Sequence, residues 1–236
     1  MMKPVSLILL AVCGYLLSAC DEGRLYESVT STERDGGVAH VDVVTQGADR
    51  WPDGYQLVVA GFEPGNEYAV ISKSVVLDDE GKCVTDLVAI PQEVTTVELC
   101  VIDRLRRRVA SFASVAYEDH RDAVSITGLT VDVSPATAIQ NEIFNTTCIN
   151  CHGGSSHAAG QLNLTGGKSF GQLVNMVSVK DESLKRVTPG NHEESVLWVI
   201  LSSNASASWK YDHSVEIVAQ EKLNLIKDWI DNGAVY

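Results

Sequence analysis

The chain has 236 residues, 45% of them hydrophobic, and its 31 acidic against 18 basic side chains give a formal net charge of −13. That length is enough for one large domain or two ordinary ones. The acidic balance argues against nucleic-acid binding, because phosphate contacts depend on Lys and Arg. It favours instead a protein partner with a basic docking surface.

The first 19 residues predict an export signal. Lys3 supplies a positive charge, and residues 5–17 form an apolar core that is shorter than the roughly 20 residues of a membrane-spanning helix. Residues 17–20 (Leu-Ser-Ala-Cys) resemble the lipobox of bacterial lipoproteins, in which the signal is cut before a cysteine that is then acylated. We therefore expect a lipid anchor on Cys20, a linker over residues 20–36, and a place in the bacterial cell envelope, on the inner or the outer membrane. An ordinary secretory signal with a cysteine nearby is the alternative.

Residues 37–134 predict an all-β sandwich of immunoglobulin or fibronectin type, because short runs rich in Val, Ile, Thr and Tyr alternate with turn residues. The predicted strands are Val38–Val44, Tyr55–Gly61, Tyr68–Leu77, Val84–Ile90, Thr95–Ile102, Val109–Ala116 and Ser125–Val133. His40 and His120 stand alone in this stretch, so we predict no catalytic centre in it. A spacer, or a module that binds carbohydrate or a surface protein, is the expected role.

The six cysteines are assigned by subtraction. One falls in the signal, one takes the lipid, and two belong to the motif described below. Cys83 and Cys100 remain, and an even remainder in an exported chain predicts a disulfide. That bond would stabilise the sandwich by roughly 3 kcal/mol. Two buried thiols are the alternative.

After Ser134-Pro135 the apolar residues no longer alternate as in a strand but recur at helical spacing. This change predicts a separate all-α domain over residues 135–236. Ile139, Ile143 and Phe144 recur at intervals of four and five residues. Residues 219–232 predict an amphipathic helix that ends at Gly233. The apolar face of that helix consists of Leu223, Ile226, Trp229 and Ile230.

The pattern C-x-x-C-H over residues 148–152 predicts covalent attachment of one c-type haem. Two thiols at this spacing add to the two vinyl groups on one edge of the macrocycle, and the histidine that follows then lies beneath the iron. Cys148 and Cys151 are thus the attachment residues, and His152 is the proximal ligand. Three alternatives compete: a zinc site completed by His152 and His157, a thioredoxin-type dithiol, and chance.

Residues 138–234 also resemble the cytochrome c domains common in planctomycete and Bacteroidetes proteins. The resembling segments are Ile143-Phe144, Cys151-His152-Gly153-Gly154, Gly160-Gln161-Leu162-Asn163-Leu164, Val187-Thr188-Pro189-Gly190-Asn191, Ser195-Val196-Leu197-Trp198 and Leu225-Ile226-Lys227-Asp228-Trp229-Ile230-Asp231-Asn232-Gly233-Ala234. The resemblance implies a monohaem domain of class I cytochrome c type, with His152 as proximal ligand.

The sequence departs from that family at the sixth iron ligand, for which relatives carry a Met-Pro shortly before the last helix. Here the corresponding loop, residues 209–214, contains no methionine. His213 lies at about the right place and is our first candidate. Met176, His192 or an open position are the alternatives.

The predicted function is single-electron transfer by a membrane-anchored lipoprotein that exchanges electrons with a redox protein. A haem enzyme or sensor with an open sixth position is one alternative. The other is a polysaccharide- or protein-binding module in which the haem is accessory.

Overall fold

The computed structural model describes residues 36–118, 123–154, 158–209 and 211–236. The predicted signal, Cys20, His120 and His157 lie outside these ranges. Within them, the longest helix has 12 residues, and no helix is long and apolar enough to cross a membrane.

Seven strands form two packed sheets. The strands are β1 (Gly37–Gln46), β2 (Gln56–Phe62), β3 (Ile71–Ser74), β4 (Lys82–Ile90), β5 (Thr96–Ile102), β6 (Arg108–Ala116) and β7 (Val124–Asp132). One sheet has the order β4-β1-β7 and the other β3-β2-β5-β6. All neighbours are antiparallel except β1 and β7, which are parallel. Each predicted strand overlaps an observed one, and the third is shorter than predicted.

The space between the sheets is filled by alternate residues of the strands, as a half-buried strand requires. Ala39, Val41 and Val43 of β1 are buried there, together with Val59 of β2 and Leu99 of β5. The opposite face of β2 and β5 is also buried, because residues 63–70 cross it. Two backbone bonds hold this crossing segment near β6, from Ala69 N–H to Arg106 O (3.0 Å) and from Arg108 N–H to Glu67 O (2.7 Å).

The predicted disulfide is not formed in the structure, where Cys83 and Cys100 are free, buried thiols. Cys83 packs between the two sheets. Cys100 points from the other face of β5 and packs with Val58, Ala60 and Phe62 under the crossing segment. Residues 99 and 100 face opposite sides because successive strand residues alternate, so the thickness of a sheet separates the two thiols. The sequence could not show which face each cysteine takes.

Five short helices follow the strands: α1 (Pro135–Ile139), α2 (Ile149–His152), α3 (Ser169–Leu173), α4 (Val196–Ser202) and α5 (Gln220–Asp231). Ser134 caps α1 by accepting the Thr137 N–H, and Pro135 opens it. A π-helix, Gln140–Cys148, joins α1 directly to α2. Short 3₁₀ turns at Ala159–Gln161, Asn204–Trp209 and His213–Val215 complete this part of the chain.

The fold-class prediction is wrong in its second half, because the helical region is not a distinct all-α cytochrome c domain. The described structure is mostly β-sheet, with a small helical C-terminal part. Val101 of β5 and Val109 of β6 belong to the same apolar cluster as the helices. Leu57 and Phe112 contact both this cluster and the one between the sheets. The helices therefore complete their core against the four-stranded sheet, a packing that the helical period of the sequence does not reveal.

Candidate functional site

The two motif cysteines lie where the π-helix passes into α2. Cys148 is its last residue and Cys151 lies in α2. Residues three apart on a helix share a face, so both thiols project from the same side. Cys148 is partly buried against the helical core, whereas Cys151 is exposed. Burial, with smaller contributions from Glu216 and Cys151, raises the pKa of Cys148 to about 11. This is opposite to the lowered pKa that activates thioredoxin-type dithiols.

His152 is held by a hydrogen bond that fixes its tautomer. Its Nδ1 lies 2.9 Å from the carbonyl oxygen of Ala159. A carbonyl only accepts hydrogen bonds, so Nδ1 carries the hydrogen and Nε2 keeps a free lone pair. Metal-ligating histidines characteristically donate their other ring N–H to such an acceptor. Nε2 is therefore the ring nitrogen of His152 with a lone pair available for a metal ion.

His213 is the aromatic ring that faces His152. The two ring centres are 6.3 Å apart, and the ring planes are inclined by only 29°. The backbone N–H of His213 donates to Ser206 Oγ (3.0 Å), and the ring Nδ1 lies 3.0 Å from the same oxygen. Tyr211 packs edge-on against the ring at 5.1 Å. Burial is the main cause that lowers the pKa of His213, so the neutral form that metal ligation requires is favoured.

The spacing of the two rings fits one metal ion between them. A bond from an imidazole nitrogen to a metal ion is about 2.0 Å long, and the ring centre lies about 1.2 Å beyond that nitrogen. Two rings that ligate one ion from opposite sides therefore have their centres about 6 Å apart. The observed 6.3 Å agrees with this value. The separation of the rings is therefore compatible with one iron atom that His152 and His213 would hold together, with Cys148 and Cys151 as the nearby thiols.

The other candidates for the sixth ligand are placed differently. Met176 is 45% exposed and follows α3, where its carbonyl accepts the Arg186 N–H. His192 is engaged elsewhere: Nδ1 lies 2.7 Å from Asp231 Oδ1, and its ring contacts Trp198 at 5.5 Å. The structure thus brings His213 to His152.

The loop that holds His152 has its own support, which sequence reasoning missed. Gly160 and Gln161 both adopt positive φ, 61° and 53°, so two successive carbonyls turn the same way. The Arg186 guanidinium donates to both, at 3.2 and 3.3 Å, and to Gln172 O at 2.9 Å. Arg186 thereby fixes the loop whose Ala159 carbonyl orients His152. Gly160 was the one sequence signal for a turn here, because glycine favours positive φ. Its hydrogen-bond partner, Arg186, lies 26 residues further along the chain, so the sequence could not reveal the contact.

The π-helix is tied down through the side chain of Gln140, which is buried. Its Nε2 donates to Leu164 O (2.9 Å) and Asn145 Oδ1 (2.7 Å), and its Oε1 accepts from Ser169 Oγ (2.5 Å). The π-helix explains the interval of five residues between Ile139 and Phe144, both of which are fully buried. π-helical segments occur often at functional sites, and this one ends at the first motif cysteine.

In the β region, His40 binds Asp86 at 2.6 Å on the surface. Across the described ranges, no group of three or more His, Cys, Asp and Glu side chains is arranged to hold a metal ion.

A scan against known protein families finds no match for this chain, and a search of curated proteins finds none either.

Proposed function

We propose that the chain carries one covalently attached c-type haem and transfers single electrons. Cys148 and Cys151 would form the two thioether bonds, His152 would be the proximal ligand and His213 the distal ligand. The facing imidazoles carry the proposal, at 6.3 Å and 29°, beside two thiols with the haem-attachment spacing.

The residues around the site suit electron transfer better than substrate chemistry. When bound, the haem supplies an iron atom that cycles between Fe(II) and Fe(III). His152 and His213 would both hold the iron, so that neither side of it would be open to substrate. Imidazole in place of the usual thioether favours a lower reduction potential. Cys151 is exposed and Tyr211 is 48% exposed, so this edge of the site is accessible to a partner protein.

The proposal extends to the place of the protein and its partner. The N-terminal pattern that ends at Cys20 favours a lipid anchor in the bacterial envelope. The net charge of −13 favours a redox partner with a basic surface, because opposite charges accelerate encounter. The β-sandwich would hold the haem region away from the membrane or position it against that partner.

The test is to produce the full chain in a bacterium with a c-type haem maturation system. Denatured protein should keep one haem by mass, and the wild-type spectrum should be low-spin and six-coordinate in both oxidation states. His213→Ala should become high-spin and bind CO. The matched control is His192→Ala, which removes a histidine held by Asp231 and should leave the spectrum unchanged.

Two results would contradict the proposal. The first is mature protein without covalent haem, for example with zinc bound to the motif. The second is a high-spin, CO-binding wild type, which would favour an enzyme or sensor with an open iron position.

A further inference from the structure

We propose that Ser206 is the positioning residue of the distal histidine: its hydroxyl accepts the Nδ1–H of His213 and so leaves the lone pair of Nε2 free to bind the iron. This inference rests on the proposed haem site and adds to it a residue that neither the motif nor the resemblance indicates.

The surroundings of Ser206 distinguish it from the neighbouring serines. Ser206 is fully buried, at 0% exposure, whereas Ser203 and Ser208 are exposed. Those two bond to carbonyls of their own turns, Ser203 to Val199 O (2.7 Å) and Ser208 to Ala205 O (3.5 Å). Ser206 instead reaches seven residues along the chain to His213. A buried hydroxyl requires a partner, and here the partner is the candidate ligand.

Two contacts to one oxygen fix both the position and the rotation of His213. The backbone N–H and the ring Nδ1 each lie 3.0 Å from Ser206 Oγ. A hydroxyl oxygen has two acceptor sites, so it has room for both N–H groups when Nδ1 carries the hydrogen. With the hydrogen on Nδ1, the lone pair of Nε2 is the one that a metal ion would use.

The Tyr211 ring limits the remaining freedom of the imidazole. It packs edge-on against His213 at 81°, and its hydroxyl donates to Glu216. His213 is therefore held by its backbone, by Nδ1 and by one side of its ring. Such partners orient a ligating imidazole and increase its basicity, and their loss typically weakens metal binding about 10- to 100-fold.

The experiment compares Ser206→Ala with Ser208→Ala, the matched control, and with Ser206→Thr, which keeps the hydroxyl. In the haem-loaded full chain, cyanide should displace His213 in Ser206→Ala at a concentration about 10-fold lower than in the wild type. The reduction potential should rise, because a less basic imidazole stabilises Fe(III) less. Ser208→Ala should match the wild type. Ser206→Thr should stay close to the wild type in both cyanide displacement and reduction potential, because it keeps the hydroxyl.

A second measurement separates this inference from the haem proposal, since it uses the metal-free chain. Nitrogen-15 NMR should find the Nδ1–H tautomer at His213 in the wild type and the Nε2–H tautomer in Ser206→Ala. Unchanged cyanide displacement in a low-spin, haem-bearing Ser206→Ala variant would overturn the role of Ser206 while leaving the haem proposal standing. An Nε2–H tautomer in the wild type would overturn the preorganisation of His213 before the haem binds. A chain that never acquires covalent haem would overturn the haem proposal, and with it the role of Ser206 toward iron.

Discussion

The sheets and the helical region have adjoining apolar clusters, joined through Leu57 and Phe112, but they are held in shape by different interactions. The strands are connected by backbone ladders, with seven to ten residues in every strand except β3. Four of the five helices have seven residues or fewer, too few to be stable alone. Side chains that bond to distant backbone groups, such as Gln140 and Arg186, supply what the short helices lack. The proposed haem site thus lies in the region that depends most on specific polar contacts.

The largest expected effect tests whether the two regions unfold together. Trp229→Ala in α5 and Leu99→Ala in β5 each create a cavity in the core, at a cost of about 3–5 and 2–5 kcal/mol respectively. Because Leu57 and Phe112 join the two clusters, each variant should unfold in one transition. Far-UV circular dichroism and tryptophan fluorescence during urea titration should then give coincident curves, with fluorescence of Leu99→Ala reporting on the helical region. Two separated transitions would show that the regions are independent domains after all.

A smaller effect should be confined to the helical region. Gln140→Leu leaves Leu164 O and Ser169 Oγ without their partner, which should cost about 2 kcal/mol. Hydrogen exchange should accelerate in the π-helix and around residues 164–169, while the strands stay protected. Gln220→Ala is the control, since Gln220 is exposed on α5 and bonds to Asn224 at 3.0 Å. Equal acceleration in the strands would contradict the distinction between the two regions.

The smallest effect concerns pH and Asp231 at the end of α5, which bonds to His192 and to Lys227 of the same helix. Burial acts to raise the pKa of Asp231, but hydrogen bonds from Lys227 and His192 outweigh it and hold the pKa below its usual value. Because the pKa of the Asp231 carboxyl is lower in the folded protein than in the unfolded chain (about 3.9), its charged form stabilises the fold above about pH 3.9. That stabilisation is lost as the pH falls through the lower pKa of the folded state. Because the side chain is 35% exposed, Asp231→Asn should lose less than about 1 kcal/mol at pH 7.

The check is urea unfolding of Asp231→Asn and wild type at pH 7 and at pH 3. The difference between them should narrow at the lower pH. Asp79→Asn, at an exposed turn, should equal the wild type at both. A difference that grows toward acid would mean that Asp231 is not stabilised in its charged form.

Much of the fold and part of the site followed from local patterns. All seven strands were predicted, because alternation and turn residues are written in the immediate sequence. The C-x-x-C-H motif and the nomination of His213 also came from sequence, although attachment of haem stays a proposal. Cys83 and Cys100 are free thiols in the structure, and spacing could not show which face of a strand each cysteine occupies. The all-α domain failed because a helical period does not show that the helices pack on a sheet.

The sequence by itself determined the seven strands and the first and last helices and nominated the reactive residues, since strand alternation, helix caps and motif spacing act over a few neighbouring positions. Tertiary structure alone decided the partners: Val101 and Val109 against the helices, Arg186 on the loop behind His152, and Ser206 on His213. These contacts join segments that no local period relates. The facing of His152 and His213, 61 residues apart in the chain, is likewise set by how α2 and the turn before α5 pack on one core.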